Sequence, residues 1–562
     1  MEHKAANLHF KEIKWNLVLP VIHIVISWIY ELFFLKLQED QLGVLTPAFS
    51  SPISYQVEQT MMYVISKIFG CVLIFVIWQI IFYLFYRKKL TPFFLLLGGL
   101  VLLLLYFPDN WALEIDNLTM YSQAIRYHPD YWHSILTGCI YNACLMVCYH
   151  GFFIPYIQTA FFLGALYYLS EKLRQHYGKK GAWLPYLCFL FPETYWIMVT
   201  PYRNCIYAIF CIWFFSLFAF DLIEKRKYTP LRFVIMGGIS LMLTILRTEG
   251  IFFFLLFVII LLWQMKGEIK KQVVCGMGFV LLALLLNLPQ KLGEAKYFGD
   301  DYMIANYINI LCSCFHDENV NLSYEGAGED LEAIEAIVPV EVIEYNGLIS
   351  YYEYNLSVHG SVNQSFATKE EQQAFLKAGM RIMLHNLSDV VGNRLRYFAE
   401  ANGVSGMNFE FTQQPSDDMQ NFLAARGTFS INEMIDRERV PLLYDVAVNQ
   451  VKVVVFWRFY NALDKWDHFL RNLNLLLISR ILVICLLILT FVNFMKKRKI
   501  KEAAVSLLLL LMWGIIIVFS PEAREAYYYP VYYSSLIWSV VFLWKDVAAA
   551  SKEQSTECRS EE

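Results

Sequence analysis

The residues best suited to chemistry lie in one polar connector, residues 108–133. It reads PDNWALEIDNLTMYSQAIRYHPDYWH and directly follows an apolar run. Acidic side chains beside a membrane, in a cleft that excludes part of the water, can acquire the shifted pKa values that a general base requires. The sequence therefore predicts catalysis in this connector, whose titratable residues are Asp109, Glu114, Asp116, Arg126, His128, Asp130 and His133.

Four short connectors each contain a single basic residue, and in every case it is an arginine. These residues are Arg126, Arg203, Arg247 and Arg524. The planar guanidinium suits bidentate contact with phosphate, and at headgroup depth it could bind the phosphate of a lipid-linked substrate. We expect Arg247 and Arg524 to form one phosphate site near Asp116. The alternative is that each arginine anchors its helix to lipid headgroups.

Composition and hydropathy place these connectors in a membrane protein. The 562 residues are 57% hydrophobic and 17% charged, with a mean hydropathy of +0.42, whereas soluble domains average about 25% charged residues. This excludes a soluble enzyme and a disordered chain, and the net charge of −4 gives no support for nucleic-acid binding. The expected fold is an all-α polytopic membrane protein with about 12 transmembrane helices.

The predicted spans and their orientation follow from the apolar runs and the flanking charges. The runs are 15–36, 61–86, 91–107, 152–170, 182–200, 204–223, 232–246, 250–264, 273–289, 473–495, 503–520 and 527–544. Five connectors hold 19 basic residues and the alternating short connectors hold four. The positive-inside rule therefore places both termini in the cytoplasm. Residues 132–149 would break this parity as a span, so we predict a helix lying in or partly entering the outer leaflet.

These assignments divide the chain into four parts. Residues 1–289 form an N-terminal transmembrane module whose first large outer loop, 108–151, is catalytic. Residues 290–472 form an extracytoplasmic soluble domain, mixed or mainly helical, with helical patterns at 369–385 and 388–401. Residues 473–545 are C-terminal transmembrane helices, and 546–562 are a cytoplasmic tail.

The catalytic connector also resembles a known family. The segment EIDNLTMYSQAIRYHPDYWH resembles the first outer loop of GT-C glycosyltransferases, membrane enzymes that include protein mannosyltransferases and bacterial lipid-arabinosyl transferases. LRTEG and PEAREAYYYP resemble later arginine motifs of that family. Asn117 replaces a second acid found in many members. The matching residues in the loop are Asp116, Tyr121, Gln123, Ala124, His128 and Pro129.

The resemblance implies a hexosyl- or pentosyltransferase that uses a polyprenyl-phosphate sugar at the outer face of a bacterial plasma membrane. Asp116 would be the general base and His128 a positioning or acceptor-side residue. The acceptor would be a glycan, a lipid or a protein, and a divalent metal ion could assist. The donor would contact Arg126, Arg203, Arg247, Arg524, Tyr121 and Gln123.

Two other functions remain open from the sequence. An O-antigen ligase or polymerase-like protein would carry its key residues in the large outer domain. A secondary transporter would need polar groups or broken helices near the bilayer midplane. Lys67 and Glu193 lie within apolar runs, and Glu193 is the stronger evidence for transport because Lys67 is near a helix end and can extend to the interface.

Overall fold

A computed structural model describes the chain in several stretches, and every element in them is helical. The described residues are 2–31, 52–86, 134–149, 153–179, 181–264, 269–297, 311–315, 320–340, 368–402, 465–520 and 525–561, with isolated positions between 92 and 133 and at 307, 308, 310, 343 and 462. The all-α class is confirmed for this part of the chain. The span predicted at 91–107 falls almost wholly outside it.

The helices of the described residues are numbered in chain order. They are α1 (Glu2–Tyr30), α2 (Pro52–Tyr86), α3 (Ile135–Val147), α4 (Phe153–Tyr177), α5 (Pro192–Val199), α6 (Arg203–Ile223), α7 (Pro230–Leu246), α8 (Ile251–Gln264), α9 (Ile269–Tyr297), α10 (Ala327–Glu335), α11 (Lys369–His385), α12 (Leu387–Ala401), α13 (Leu475–Lys496), α14 (Ile500–Phe519) and α15 (Tyr529–Glu561). Short 3₁₀ segments occur at Gly181–Leu190, Thr248–Gly250, Cys312–Phe315 and Glu525–Tyr527.

Five of the described helices are long and apolar enough to cross a bilayer, which takes about 20 residues. They are Val57–Tyr86, Arg203–Ile223, Lys270–Lys296, Leu475–Lys496 and Ile500–Phe519. Several of their large apolar side chains are exposed, among them Val64, Ile68 and Val72 on α2. These features suggest a multi-pass integral membrane protein. Shorter apolar helices occur at Trp15–Tyr30, Ile135–Val147, Gly181–Leu190, Pro230–Leu246 and Thr248–Gln264.

The chain divides into two compact units. The first comprises Met1–Ser216, Tyr228–Phe254 and Ile435–Asp464, and the second comprises Leu217–Lys227, Leu255–Met434 and Lys465–Glu562. Each unit has buried apolar side chains of its own.

Helix α3 lies within residues 132–149, for which the sequence predicts a helix in or partly entering the outer leaflet. It has 13 residues, of which only Ile140 and Val147 are not buried, and it is too short to span a bilayer. An added Cβ at Gly138 would lie 2.4 Å from the terminal carbon of Met62 on α2, so glycine permits close packing of the two helices. Neighbouring protein therefore encloses most of α3, and its position relative to the outer leaflet stays a prediction.

The span predicted at 182–200 is not one continuous helix in the structure. Residues Gly181–Leu190 form a 3₁₀ segment, and α5 begins separately at Pro192. Proline lacks an amide proton and fits the first turn of a helix better than its interior. Pro192 therefore starts a new helix where hydropathy alone suggested continuity.

In the second unit, the helices predicted at 369–385 and 388–401 are confirmed as α11 and α12. Thr368 and Glu371 form a capping box that starts α11: the Thr368 hydroxyl accepts from the Glu371 amide, and the Glu371 carboxylate accepts from the Thr368 amide. A buried apolar cluster includes Leu311, Ile334 and Phe375. The described part of 290–472 therefore contains a small helical core.

Candidate functional site

Two of the four predicted arginines lie in one polar cluster of the first unit, which we call the Arg203–Arg247 cluster; it consists of Arg203, Asn204, Arg247 and Glu249. Arg203 and Asn204 are the first two residues of α6. Arg247 follows the last residue of α7, and Glu249 lies in the 3₁₀ turn before α8. Both arginines therefore stand at helix ends, where the sequence predicted short connectors.

The turn between α7 and α8 is closely packed. An added Cβ at Gly250 would lie 2.0 Å from the carbonyl oxygen of Leu243, a distance that nonbonded atoms do not reach. The Thr244 hydroxyl also donates to the Gly250 carbonyl at 3.2 Å. Glycine thus allows the chain to reverse against α7, and this reversal holds Arg247 and Glu249 beside each other.

Arg247 and Glu249 form a bidentate ion pair with little exposure to solvent. Nε and Nη2 of Arg247 donate to the two carboxylate oxygens of Glu249 at 2.9 and 2.6 Å. The exposed fractions of the side chains are 10% and 19%. The remaining terminal nitrogen, Nη1, donates to the side-chain oxygen of Asn204. These contacts fix the plane of the guanidinium.

The charges of both arginines act on Glu249. Burial by itself raises the pKa of this carboxyl, but the charge and hydrogen bonds of Arg247, together with the charge of Arg203, outweigh it and lower the pKa to about 2. Glu249 is therefore ionised near neutral pH and is a poor proton acceptor there. Its arrangement suits orientation of Arg247, and the two arginines retain one net positive charge.

Side chains from α3 and α4 fix the loop that leads into Arg203. The amide nitrogen of Gln158 donates to the carbonyls of Ile197 and Thr200, both at 2.7 Å. Thr159 donates to the Met198 carbonyl at 2.8 Å, and the Tyr141 hydroxyl donates to the Pro201 carbonyl. The last carbonyls of a helix have no partner within the helix. These contacts satisfy carbonyls at the end of α5 and so position the start of α6.

A second cluster in the same unit holds part of the predicted catalytic connector; we call it the Glu31–Lys67 cluster. Glu31 follows α1 and forms an ion pair with Lys67 of α2. The hydroxyls of Tyr127 and Tyr149 donate to the two oxygens of Glu31 at 2.9 Å each. Lys67 therefore pairs within the protein, a partner that the sequence analysis did not name when it noted that this side chain can extend to the interface.

The position of Tyr127 links this cluster to the catalytic connector. Burial raises the pKa of Tyr127, and the charge of Glu31 raises it further, so the phenol stays protonated and donates. Its backbone is left-handed, with a φ of 54°. Arg126 and His128 are its neighbours in sequence, so the cluster anchors the connector between these two candidate residues.

Most other predicted site residues lie outside the described residues. Of the predicted set, the structure describes Arg203 and Arg247: Arg247 binds the Glu249 carboxylate, and the charge of Arg203 acts on it. Asp116, Tyr121, Gln123, Arg126, His128 and Arg524 fall in stretches that it does not describe. The predicted joint site of Arg247 and Arg524 with Asp116 is therefore outside them too. Ala124 and Pro129, which the family resemblance also includes, are described.

The sequence reasoning missed Glu31, Asn204 and Glu249. Glu31 and Lys67 are opposite charges in two consecutive apolar runs. Charges in such runs usually pair with one another, so this arrangement could have indicated a buried pair. Glu249 shares a connector with Arg247 and could have been named from that spacing. Asn204 had no signal, because an amide at a helix start is usually read as a capping residue.

Among the described residues, no group of three or more His, Cys, Asp or Glu side chains could hold a metal ion. No model of a known protein family matches the chain, and no curated protein or solved structure matches it significantly. A functional assignment therefore depends on the residues and their geometry.

Proposed function

We propose that this protein is a membrane glycosyltransferase of GT-C type. It moves a hexosyl or pentosyl group from a polyprenyl-phosphate donor to a glycan, lipid or protein acceptor at the outer face of the membrane. The proposal rests on the resemblance of residues 108–133. The observation that carries it is that Arg247 binds the Glu249 carboxylate and that the charge of Arg203, at the start of α6, acts on the same carboxylate.

The chemistry assigns a role to each group. Asp116 takes the proton from the acceptor hydroxyl as its oxygen attacks the anomeric carbon. The bond between that carbon and the phosphate oxygen breaks, so the carbon inverts in a single displacement. The departing lipid phosphate gains negative charge, which Arg203 and Arg247 stabilise. Arg126, Arg524, Tyr121 and Gln123 complete the proposed substrate contacts, and His128 orients the acceptor.

Substitution of the two clustered arginines tests the phosphate site. Arg203→Lys and Arg247→Lys should each weaken donor binding by about 10–100-fold, because a hydrogen bond to a charged group contributes about 1.5–3 kcal/mol and lysine cannot replace bidentate geometry. The measurement is equilibrium binding of a labelled polyprenyl-phosphate sugar to protein in nanodiscs.

Arg174→Lys is the matched control. Arg174 makes the same two-pronged contact with Glu171, through Nε at 2.8 Å and Nη2 at 2.7 Å, but the pair is exposed on α4. It should bind donor like the parent protein. Unchanged binding by folded Arg203→Lys and Arg247→Lys variants would contradict the proposed phosphate site.

The proposal includes about 12 spans, with both termini in the cytoplasm. Residues 108–133 and 290–472 should share the outer side, opposite residues 496–502. Single cysteines at the exposed positions 332 and 498, in a cysteine-depleted background, should react with an impermeant maleimide from opposite sides of sealed vesicles. Labelling of both positions from the same side would contradict this orientation.

A secondary transporter is the second candidate, and one observation favours it. The apolar stretch between Gly181 and Val199 is interrupted at Phe191, and buried Glu193 lies in the first turn of α5. Transporters bind substrate at discontinuous helices. Uptake of labelled sugar into proteoliposomes without a lipid-linked donor would favour transport, whereas donor-dependent labelling of an acceptor would favour the transferase.

A further inference from the structure

Helices α11 and α12 carry an exposed apolar stripe in addition to their buried faces. Within each helix the stripe residues are four positions apart, as expected for neighbours on one helical face, and Leu384 and Leu387 flank the break between the helices at Asn386. Their exposed fractions lie between 49% and 64%. The stripe consists of Met380, Leu384, Leu387, Val391 and Leu395.

The stripe does not belong to the core of the second unit. The core side of α11 contains Phe375 and Ile382, and that of α12 contains Val390 and Phe398, all of them buried. Contiguous exposed apolar surface of this kind marks contact with a protein or a membrane. The surroundings of α12 distinguish between the two.

Helix α12 lies against the end of a candidate membrane helix in the same unit. Nη1 of Arg394 donates to the carbonyl of Ser520 at 2.8 Å, and Ser520 directly follows the last residue of α14. The rings of Phe398 and Trp513 are 6.2 Å apart and nearly perpendicular. At about 1.5 Å per residue, Trp513 is roughly 9 Å inside that end of α14.

Helix α12 also contacts a second candidate membrane helix, α13. Nε of Arg480 donates to the side-chain oxygen of Asn402 at 3.0 Å, and Asn402 is the residue that caps α12. Arg480 lies in the second turn of α13, which is also long and apolar enough to span. The second half of α12 is therefore at the depth where two candidate spans begin or end.

The helices that meet at the Arg394–Ser520 contact both expose apolar side chains near it. On α12 these are Val391 and Leu395, each within one turn of Arg394; on α14, Phe519 next to Ser520 is 56% exposed. We propose that the stripe from Met380 to Leu395 rests on the lipid bilayer, so that α11 and α12 form a membrane-surface element beside α14. Amphipathic helices at an interface bury such a face among headgroups and acyl chains.

Depth measurement by spin labelling tests this proposal without any assay of catalysis. Single nitroxides are placed at Leu384, Val391 and Leu395 of the full chain in nanodiscs, in a cysteine-depleted background. Collision with oxygen, which partitions into lipid, is compared with collision with a water-soluble nickel complex. Oxygen should dominate at these positions, whereas the nickel complex should dominate at the exposed control positions Ala374 and Asp389, which lie off the face of the stripe.

The possible outcomes are distinct. Nickel access at the stripe equal to that at the controls would mean a solvated surface and would overturn the proposal. Exclusion of both reagents would mean that protein, such as a second copy of the chain, covers the stripe, and would also overturn it. If the cysteine-depleted chain does not fold, benzoylphenylalanine at Leu384 in the otherwise native chain should crosslink to lipid; adducts to protein alone would refute the proposal.

Discussion

Asp116→Asn is expected to lower the rate of sugar transfer by about 10²–10⁴-fold, the usual loss when a general base is removed. The amide keeps the size of the side chain but cannot accept the proton of the acceptor hydroxyl. The measurement is the initial rate of transfer from a polyprenyl-phosphate sugar by properly inserted protein.

Two neighbouring acids serve as controls for Asp116. Asp109→Asn and Glu114→Gln remove a carboxylate from the same connector, but neither position matches the family motif, so each should lower the rate less. Turnover by Asp116→Asn close to that of the parent protein would refute its role as the base. A uniform loss in all three variants would instead indicate a general electrostatic role for the connector.

Lys67→Met is expected to cause the largest loss of stability among the substitutions considered. The substitution leaves Glu31 without its cation in a site where both side chains are largely buried. Removing one partner of a buried ion pair lowers the free energy of unfolding by about 3–5 kcal/mol. The Tyr127 and Tyr149 hydroxyls still donate to Glu31, so we expect a value near the lower end. The midpoint of SDS-induced unfolding measures the effect.

A double substitution separates the loss of the pair from the loss of packing. Glu31→Gln combined with Lys67→Met removes both charges, so it should recover most of the stability lost in Lys67→Met. Lys291→Met breaks an exposed pair with Glu294 on α9 and should have little effect, because exposed pairs contribute little. A Lys67→Met midpoint equal to that of Lys291→Met would contradict the buried pair.

The sequence determined the elements whose signals are local. Hydropathy placed apolar helices over much of the chain, and three-to-four periodicity located α11 and α12 within one residue of their observed ends. It also singled out Arg203 and Arg247 from their type and position. Such signals come from residues close together in sequence, so they can be recognised without the tertiary structure.

The tertiary structure decided which charges pair and which apolar runs are interrupted or enclosed. Glu31 and Lys67 are 36 residues apart, and Asn204 and Arg247 are 43 apart, so no helical period links the members of either pair. The 13 residues of α3 are apolar enough for a helix at a membrane surface, yet neighbouring helices enclose most of them. Pairing and burial depend on how helices pack, and packing is set by the shapes of side chains far apart in sequence.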